Sequence, residues 1–400
     1  MPMPNPEPYW QRNLYVCVFG AFTTIVAMTL LLPFLPLYIE HLGVTDAAAI
    51  VQWSGAAYAG TFLTAALTAP LWGRLGDLYG RKLMLIRASL GMAVAMAMIG
   101  LAQTAWQLVA LRLLAGLLGG YASGATILVA TQAPKARVGW ALGMLSSGIM
   151  AGNLAGPLLG GALPPLVGIR NTFFICGGVI FIAFLATVFL LKESPPVRPA
   201  RVAPRQAAPT RFNRSVGIML MTAGGLMFAT MSIEPIITVY FQQLGTVQVT
   251  WMAGLAMSAT ALGSILSASR LGSLADRFGP WRVLCACLGL AAALLVPQAL
   301  VSEGWQLVIL RLAMGLALGG LLPCITSIIR QSVADQGAGR LLGYSTSCQY
   351  AGQVLGPLAG GFLGGHYGMR SVFWATSLVL AALALFTWRN RPNADGTSQD

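Results

Sequence analysis

The sequence predicts an all-α polytopic membrane protein in which twelve transmembrane helices form two parallel six-helix repeats. Three observations predict this fold class. Only 9% of the 400 residues are charged and 56% are hydrophobic, whereas about a quarter of the residues of a soluble domain are charged. Twelve apolar windows of about 20 residues follow one another along the chain, each long enough to cross a bilayer. The two halves of the sequence also align with each other at an offset of 199 or 200 residues.

Each apolar window lies between charged residues or Pro/Gly breaks. Because backbone polar groups inside lipid must be satisfied within the segment, and no alternating strands of a barrel are visible, each window is predicted to be a helix. The spans predicted in the first half are 14–38, 51–72, 83–102, 106–131, 138–163 and 171–191. Those predicted in the second half are 216–241, 250–269, 283–301, 305–329, 340–363 and 371–388. The first span is too long for a signal-peptide core, so we expect it to remain in the mature protein.

The basic residues predict how the chain is oriented. Of 24 Lys and Arg residues, 20 lie in the termini, in the turns on one side of the predicted bundle or beside those turns. Arg170 and Arg370 lie on the opposite side, and Arg112 and Arg311 lie inside spans. Since cytoplasmic loops are enriched in Lys and Arg, both termini are predicted to be cytoplasmic. Membrane topology then explains the net charge of +13, and we expect no binding of nucleic acid.

A hydrophilic stretch divides the chain into two domains. Residues 192–215 are rich in Arg, Pro and Ala and have no apolar face, so we interpret them as a flexible cytoplasmic linker. Contact of this stretch with anionic lipid headgroups is the alternative. The predicted domains are an N-terminal six-helix bundle at 1–191 and a C-terminal six-helix bundle at 216–400.

Matching segments identify the repeat. The sequence GRLGDLYG at 73–80 matches GSLADRFG at 272–279, and WQLVALR at 106–112 matches WQLVILR at 305–311. Asp77 and Asp276 are predicted to lie on the same side of the membrane, so each repeat has an even number of spans, and six fits. Parallel repeats of this kind are a plan of transporters that bind substrate at the interface between the repeats. The repeat therefore favours a carrier over a receptor, a scaffold or a membrane enzyme.

The loop after the second span of each half has a characteristic pattern of glycines and charges. Glycines allow two helices to approach closely, and an acid beside basic residues can hold or release helix ends. In the second copy Pro280 and Trp281 replace the basic pair, which predicts a weaker clamp there. The alternative is an ordinary charged turn. The pattern resembles the signature loop of the major facilitator superfamily, and the resemblance covers essentially the whole chain. The residues that carry it are Gly73, Asp77, Gly80, Arg81 and Lys82 in the first copy and Gly272, Asp276, Arg277 and Gly279 in the second.

The fifth span carries glycines at intervals of four residues, beside a proline. This spacing puts the glycines on one helix face, where backbones pack closely, and proline permits a kink. The set is similar to the motif of drug/proton antiporters in the superfamily, although helix packing alone explains the glycines equally well. It comprises Gly148, Gly152, Gly156, Pro157, Gly160 and Gly161.

Further phrases extend the resemblance to drug-efflux members of the superfamily: 32–38, 80–84, 111–120, 130–134 and 139–143. The resemblance implies proton-driven export of small apolar or amphipathic drugs by a monomer in the lipid bilayer of a bacterial cytoplasmic (inner) membrane, without a cofactor. It also implies that certain helices line a central cavity, although packing or lipid contact is the alternative for their side chains. The candidate cavity residues are Thr24, Met28, Tyr121, Met227, Met231 and Tyr240.

Three charged residues lie deep inside predicted spans, beyond the helical turns that adjoin the cytoplasmic loops, namely Arg112, Arg311 and Glu234. A charge near the centre of a bilayer is costly, so each of them marks a functional hypothesis. We expect Glu234 to take up and release the coupling proton, and its occupancy to shift the balance between inward-open and outward-open states. A static Glu234–Arg311 ion pair is the alternative.

The repeat distinguishes the two arginines. Aligning Pro33 with Pro235 places Leu32 opposite Glu234, so only the second half offers an acid to its buried arginine. Arg112 matches the fourth-helix arginine that the resemblance implicates in proton coupling. The alternative for Arg112 is bonding to backbone carbonyl groups in helix packing.

Enzymatic chemistry is not expected. The two histidines, His41 and His366, lie at outer helix ends, and no intramembrane cluster resembles a metal site or a catalytic triad. The six cysteines have no metal-ligand spacing, and no glycine run has the context of a nucleotide-binding loop. An importer or facilitator of a small metabolite with the same fold is the alternative function. The scarcity of polar residues within the spans favours efflux of apolar compounds.

Overall fold

The computed structural model describes residues 9–193, 213–332 and 338–391, and within these ranges the chain is helical without strands. The predicted linker at 192–215 lies mostly outside the described residues. The first half contains eight α-helices: α1 (Trp10–Leu30), α2 (Leu35–His41), α3 (Ala47–Tyr79), α4 (Arg81–Gly100), α5 (Ala105–Leu118), α6 (Tyr121–Gln132), α7 (Val138–Val167) and α8 (Ile169–Phe189). The second half repeats the pattern: α9 (Arg214–Ile233), α10 (Ile237–Gln243), α11 (Val249–Phe278), α12 (Pro280–Leu300), α13 (Gly304–Leu318), α14 (Leu321–Gln331), α15 (Ala338–Tyr367) and α16 (Met369–Arg389).

These helices follow the twelve predicted spans, but four spans are interrupted where the sequence predicted continuous helices. The first and seventh spans break at the 3-10 turns Leu32–Phe34 and Glu234–Ile236, each of which contains a proline. Proline lacks the backbone N–H that a continuous helix needs. The fourth and tenth spans break at the glycine pairs 119–120 and 319–320. Breaks recur at matching positions, so the structural repeat extends to the irregular turns.

Several helices extend beyond the predicted spans. α3 has 33 residues, where the sequence predicted a span of 51–72. At about 1.5 Å per residue it is about 50 Å long, which exceeds the ~30 Å hydrocarbon core of a bilayer. Among the described residues, ten helical segments are long and apolar enough to cross a membrane. α3 and α15 are not among these ten, because glycine and weakly polar residues lower their hydropathy.

Equivalent helix pairs form the two halves. α1 packs on α7 and α4 on α8, and in the second half α9 packs on α15 and α12 on α16. Side chains of α1, α4, α6 and α7 form a buried core that includes Leu14, Cys17, Leu85, Tyr121 and Leu145. The predicted all-α fold built from two six-helix repeats is thus confirmed.

Contacts divide the described residues into two compact units. The first unit comprises the described residues of Met1–Val202 and Ile237–Ser258. The second unit comprises the described residues of Ala203–Ile236 and Ala259–Asp400. The early second-half segment belongs to the first unit through hydrogen bonds such as Thr238 Oγ1 to the Pro33 carbonyl at 2.8 Å. Ser258 Oγ likewise donates to the Leu154 carbonyl at 2.8 Å. The domain boundaries at 191 and 216 stay a prediction.

Candidate functional site

Glu234 and Arg311 form an ion pair inside the second unit. Glu234 is the first residue of the 3-10 turn that follows α9, and Arg311 lies in α13. Arg311 Nη2 donates to Glu234 Oε1 at 3.3 Å, and the exposed fractions of the two side chains are 2% and 14%. Glu234 Oε2 is buried and has no hydrogen-bond partner among the described residues. The carboxyl group therefore has one oxygen held by the guanidinium group and one that is available to a proton.

Arg112 occupies the equivalent place in the first unit, where no acid among the described residues forms an ion pair with it. Its side chain is 2% exposed, and its Nε and Nη1 atoms have no hydrogen-bond partner in the described part of the chain. Leu32 stands in the 3-10 turn where the second half has Glu234. Thr61 Oγ1 donates to the Arg112 carbonyl at 3.0 Å, which fixes the backbone of α5 against α3. Two of the three guanidinium nitrogens thus have none of the carbonyl contacts of a packing role within the described residues.

The first signature loop joins α3 to α4 through an ion pair between Asp77 and Arg81. Gly80 has φ = +95°, a conformation that glycine adopts without strain. The Glu193 carboxylate accepts hydrogen bonds from the backbone N–H groups of Arg81 at 2.9 Å and Lys82 at 2.6 Å. Glu193 therefore caps the first turn of α4, where the helix dipole favours an anion.

Sequence reasoning missed Glu193 because it treated residues 192–215 as linker. The available signal was an acid two residues after the sixth span, 112 residues from Arg81. The neighbouring Lys192 N–H donates to Asn13 Oδ1 at 3.0 Å, and Asn13 Nδ2 donates to the Lys192 carbonyl at 2.6 Å. The chain segment that leaves α8 is therefore bound both to α1 and to α4.

A second contact at this end of the unit was also missed. The Arg87 guanidinium lies over the Trp72 ring at 3.6 Å and donates to the Leu118 carbonyl at 2.8 Å. Trp72 Nε1 donates to the Leu117 carbonyl at 2.8 Å. These bonds satisfy carbonyl groups at the C-terminus of α5, immediately before the glycine break.

The second signature loop is built differently. Gly279 has φ = +90°, so the turn is the same as at Gly80. Pro280 begins α12, and the Arg277 guanidinium lies 5.3 Å from the Phe278 ring. Within the described ranges Asp276 has no ion pair. The weaker clamp expected here agrees with this geometry, but its functional effect stays a prediction.

The glycine face of α7 lies against α1. A methyl group added at Gly148 would lie 2.9 Å from Val18 Cγ1, and one at Gly156 would overlap Thr29 Oγ1. Gly161 faces another partner, because a methyl group there would lie 2.7 Å from the Thr250 carbonyl oxygen. Small residues thus allow α7 to touch two neighbours within the first unit.

α15 and α9 repeat this contact in the second unit. A methyl group at Gly360 would overlap the Ser232 carbonyl oxygen. Where Gly148 becomes Cys348, the close approach is provided by Gly224 of α9, whose added methyl group would lie 3.1 Å from the Cys348 carbonyl. In the second unit the glycine at this contact therefore belongs to α9 and not to α15, and the two helices still pack closely.

The candidate cavity residues are not alike. Thr24, Tyr121 and Tyr240 are at most 4% exposed. Tyr121 OH lies 2.9 Å from Thr187 Oγ1, and Thr24 Oγ1 donates to the Gly20 carbonyl at 2.7 Å. The other three, Met28, Met227 and Met231, are half-buried. The first group packs within helices in this structure, and the assignment of all six to a substrate cavity stays a prediction.

The six cysteines are free thiols. Among the residues that the structure describes, no group of three or more His, Cys, Asp or Glu side chains lies close enough to hold a metal ion.

Comparison with known sequences and structures gives consistent matches. A profile of the Major Facilitator Superfamily matches residues 17–251 and 219–399. The chain is 41% identical over 384 residues to "Multidrug resistance protein MdtG" of Proteus mirabilis (strain HI4320), covering 95% of this chain and 96% of the relative. It is 42% identical over 386 residues to the protein of the same name from Salmonella paratyphi A (strain ATCC 9150 / SARB42), covering 95% and 96%.

Two solved structures show the same fold. One is a bacterial homologue of the human lysosomal transporter Spinster in an inward-facing and unoccupied conformation. Its TM-score is 0.79 at 16% identity, over 96% of this chain and 97% of that one. The other is the human organic anion transporter MFSD10 (TETRAN), with a TM-score of 0.67 at 18% identity, over 95% and 100%.

Proposed function

Because the chain belongs to the Major Facilitator Superfamily, we propose that it exports small apolar or amphipathic drugs across the membrane in exchange for protons. The observation that carries this proposal is the 41–42% identity, over 95% of the chain, to proteins named for multidrug resistance. The chain is a multi-pass membrane protein. We place it in the inner membrane of a bacterium with both termini in the cytoplasm, acting as a monomer that uses the proton gradient and no cofactor.

Glu234 is the proton carrier in this proposal. Its Oε2 atom has no partner among the described residues, so a proton can bind there while Oε1 stays near Arg311. Protonation removes the negative charge that faces the guanidinium group, which weakens the attraction between the turn after α9 and α13. The proton thereby changes the relative energies of two conformations, as alternating access requires.

Arg112 contributes a buried positive charge that no carboxylate in the described residues neutralises. A charge in such a low-dielectric position responds strongly to another charge that enters or leaves its surroundings. We assign Arg112 a role in coupling drug transport to proton movement. Its energy would change when a proton or a substrate binds to the first unit or leaves it.

The signature loop and the glycine faces support the movement. The Asp77–Arg81 pair and the Glu193 cap hold the ends of α3, α4 and α8 together by bonds that can break and re-form. The contact of α7 with α1 presents small residues and few side-chain hydrogen bonds, which suits helices that shift while staying packed.

An importer or facilitator of a small metabolite is the second candidate. The unpartnered nitrogens of Arg112 favour it, because a buried guanidinium group is a natural partner for an anionic substrate. Such a protein would not lower the drug content of the cell.

The experiment is a drug-susceptibility panel on strains that lack or overproduce the protein, with cellular drug content measured in parallel. Efflux predicts that overproduction raises resistance and lowers the drug content, whereas deletion does the reverse. Greater drug accumulation on overproduction would overturn the proposed direction. Unchanged drug content, together with altered growth on organic anions, would favour the second candidate.

A further inference from the structure

A groove lies on the surface between the packed helices α12 and α16, near the end of the second unit at which α12 begins and α16 ends. Its volume is about 340 Å³, near the lower end of the range of ~300–1,000 Å³ found for small-molecule sites. Its walls are almost wholly apolar, and small side chains at Ala286 and Ala384 create the space. The lining residues are Arg282, Cys285, Ala286, Ala384, Leu385 and Trp388.

The end of this groove is basic. Arg282 lines it and is exposed. The Arg391 guanidinium stacks on the Trp388 ring, with Cζ 3.6 Å from the ring centroid, which holds its charge beside the groove. Arg389, the exposed residue that follows Trp388, adds a third cation to this end of α16. Within the described part of the chain, no carboxylate forms a salt bridge with any of these three arginines.

The side chains that form the groove are not repeated in the first half. With the repeat offsets of 199 and 200 residues, Ala286 corresponds to Arg87 and Ala384 corresponds to Phe184. Leu191 stands where the second half has Arg391. The first half thus has large side chains where the groove has alanines. Its basic residue at this end, Lys192, lies one position further along and stacks on the Tyr9 ring. The general fold does not require this combination.

We propose that the groove binds one anionic phospholipid. An acyl chain lies along Ala286, Ala384 and Leu385, and the phosphate group lies between Arg282 and Arg391. Basic pockets between transmembrane helices bind anionic headgroups, and the positive side of the protein faces the anionic cytoplasmic leaflet in the predicted orientation. A soluble anion would use the arginines but not the apolar walls, whereas a neutral drug would use the walls but not the arginines.

The test is native mass spectrometry of the detergent-purified full chain, titrated with dioleoyl phosphatidylglycerol or dioleoyl phosphatidylcholine. We expect one phosphatidylglycerol molecule to bind in preference to phosphatidylcholine. Arg282→Gln and Arg391→Gln should each weaken its binding about fivefold, the effect of one basic residue near an anionic surface. Ala384→Phe, which copies the first half, should block binding while all the arginines remain.

Arg137→Gln is the matched control, because it removes an exposed basic residue of the first unit. It should bind phosphatidylglycerol like the wild type, and the melting temperature of each variant reports its folding. Equal binding of the two lipids by the wild type would overturn the proposal. So would an equal loss in Arg137→Gln, or full binding by folded Ala384→Phe.

Discussion

Glu234 Oε1 lies 3.3 Å from Arg311 Nη2, whereas the corresponding pair in the first half is Leu32 and Arg112, which cannot bond. The repeat therefore places two arginines in equivalent buried positions and provides an acid for only one. In the second unit Glu234 can take up a proton beside Arg311, whereas in the first unit no carboxylate of the described residues neutralises Arg112.

Glu234→Gln should abolish drug-driven proton movement in membrane vesicles while the protein still accumulates. Glutamine keeps an oxygen for Arg311 but does not exchange a proton. A pH-sensitive dye in everted vesicles measures the coupling. Glu40→Gln, an exposed acid of the first unit, is the control and should behave like the wild type. Undiminished coupling in Glu234→Gln would leave the static ion pair as the explanation of this residue.

Replacing the two buried arginines should affect the stability of the protein differently. Arg311→Ala leaves Glu234 buried without its counter-charge, and loss of one partner of a buried pair costs about 3–5 kcal/mol. Arg112→Ala removes a group whose Nε and Nη1 atoms have no described partner, so its melting temperature should stay near that of the wild type while transport falls. The melting temperatures of the two variants are compared by heating each protein and measuring the folded fraction by size-exclusion chromatography. Loss of folded protein in Arg112→Ala would instead indicate a packing role.

Gly156→Ala should destabilise the protein, because the added methyl group overlaps Thr29 Oγ1 of α1. Overpacking of this kind costs about 1–3 kcal/mol. Gly143→Ala in the same helix is the control, since a methyl group there meets nothing within 4 Å. Its melting temperature should be unchanged or raised. If the two variants had equal melting temperatures, the proposed close packing of α7 on α1 would be wrong.

Glu193→Ala should weaken the attachment of the segment after α8 to the first turn of α4. Loss of a capping acceptor costs about 0.5–2 kcal/mol. Hydrogen exchange of the backbone amides of Arg81 and Lys82 measures this attachment, and it should become faster. Glu193→Gln keeps an acceptor, so its amide exchange rate should lie between those of Glu193→Ala and the wild type. Unchanged exchange in Glu193→Ala would contradict the cap.

The sequence allowed the fold to be predicted because apolar windows and internal repetition are properties of the chain itself. It also pointed to Glu234 and Arg311 through their positions within the spans. The breaks at Pro33 and Gly120 were missed, since a hydropathy window averages over the residues that interrupt a helix. The sequence left open whether Tyr121 lines a cavity or packs between helices, because a helix that is apolar on every side does not reveal which face meets a neighbour.

The contacts of Glu193 and Arg87 depend on partners distant in sequence. Glu193 bonds α4 from 112 residues away, and Arg87 reaches the Leu118 carbonyl across a turn. Single-residue patterns carry no signal for such pairings.

The most direct test of proton-coupled efflux uses proteoliposomes with an acidic lumen and a drug identified by the susceptibility panel. Antiport predicts that drug accumulates in the lumen as protons leave, that a protonophore stops this accumulation, and that Glu234→Gln does not support it. Drug movement that is independent of the pH gradient, or that runs in the same direction as the protons, would contradict the account.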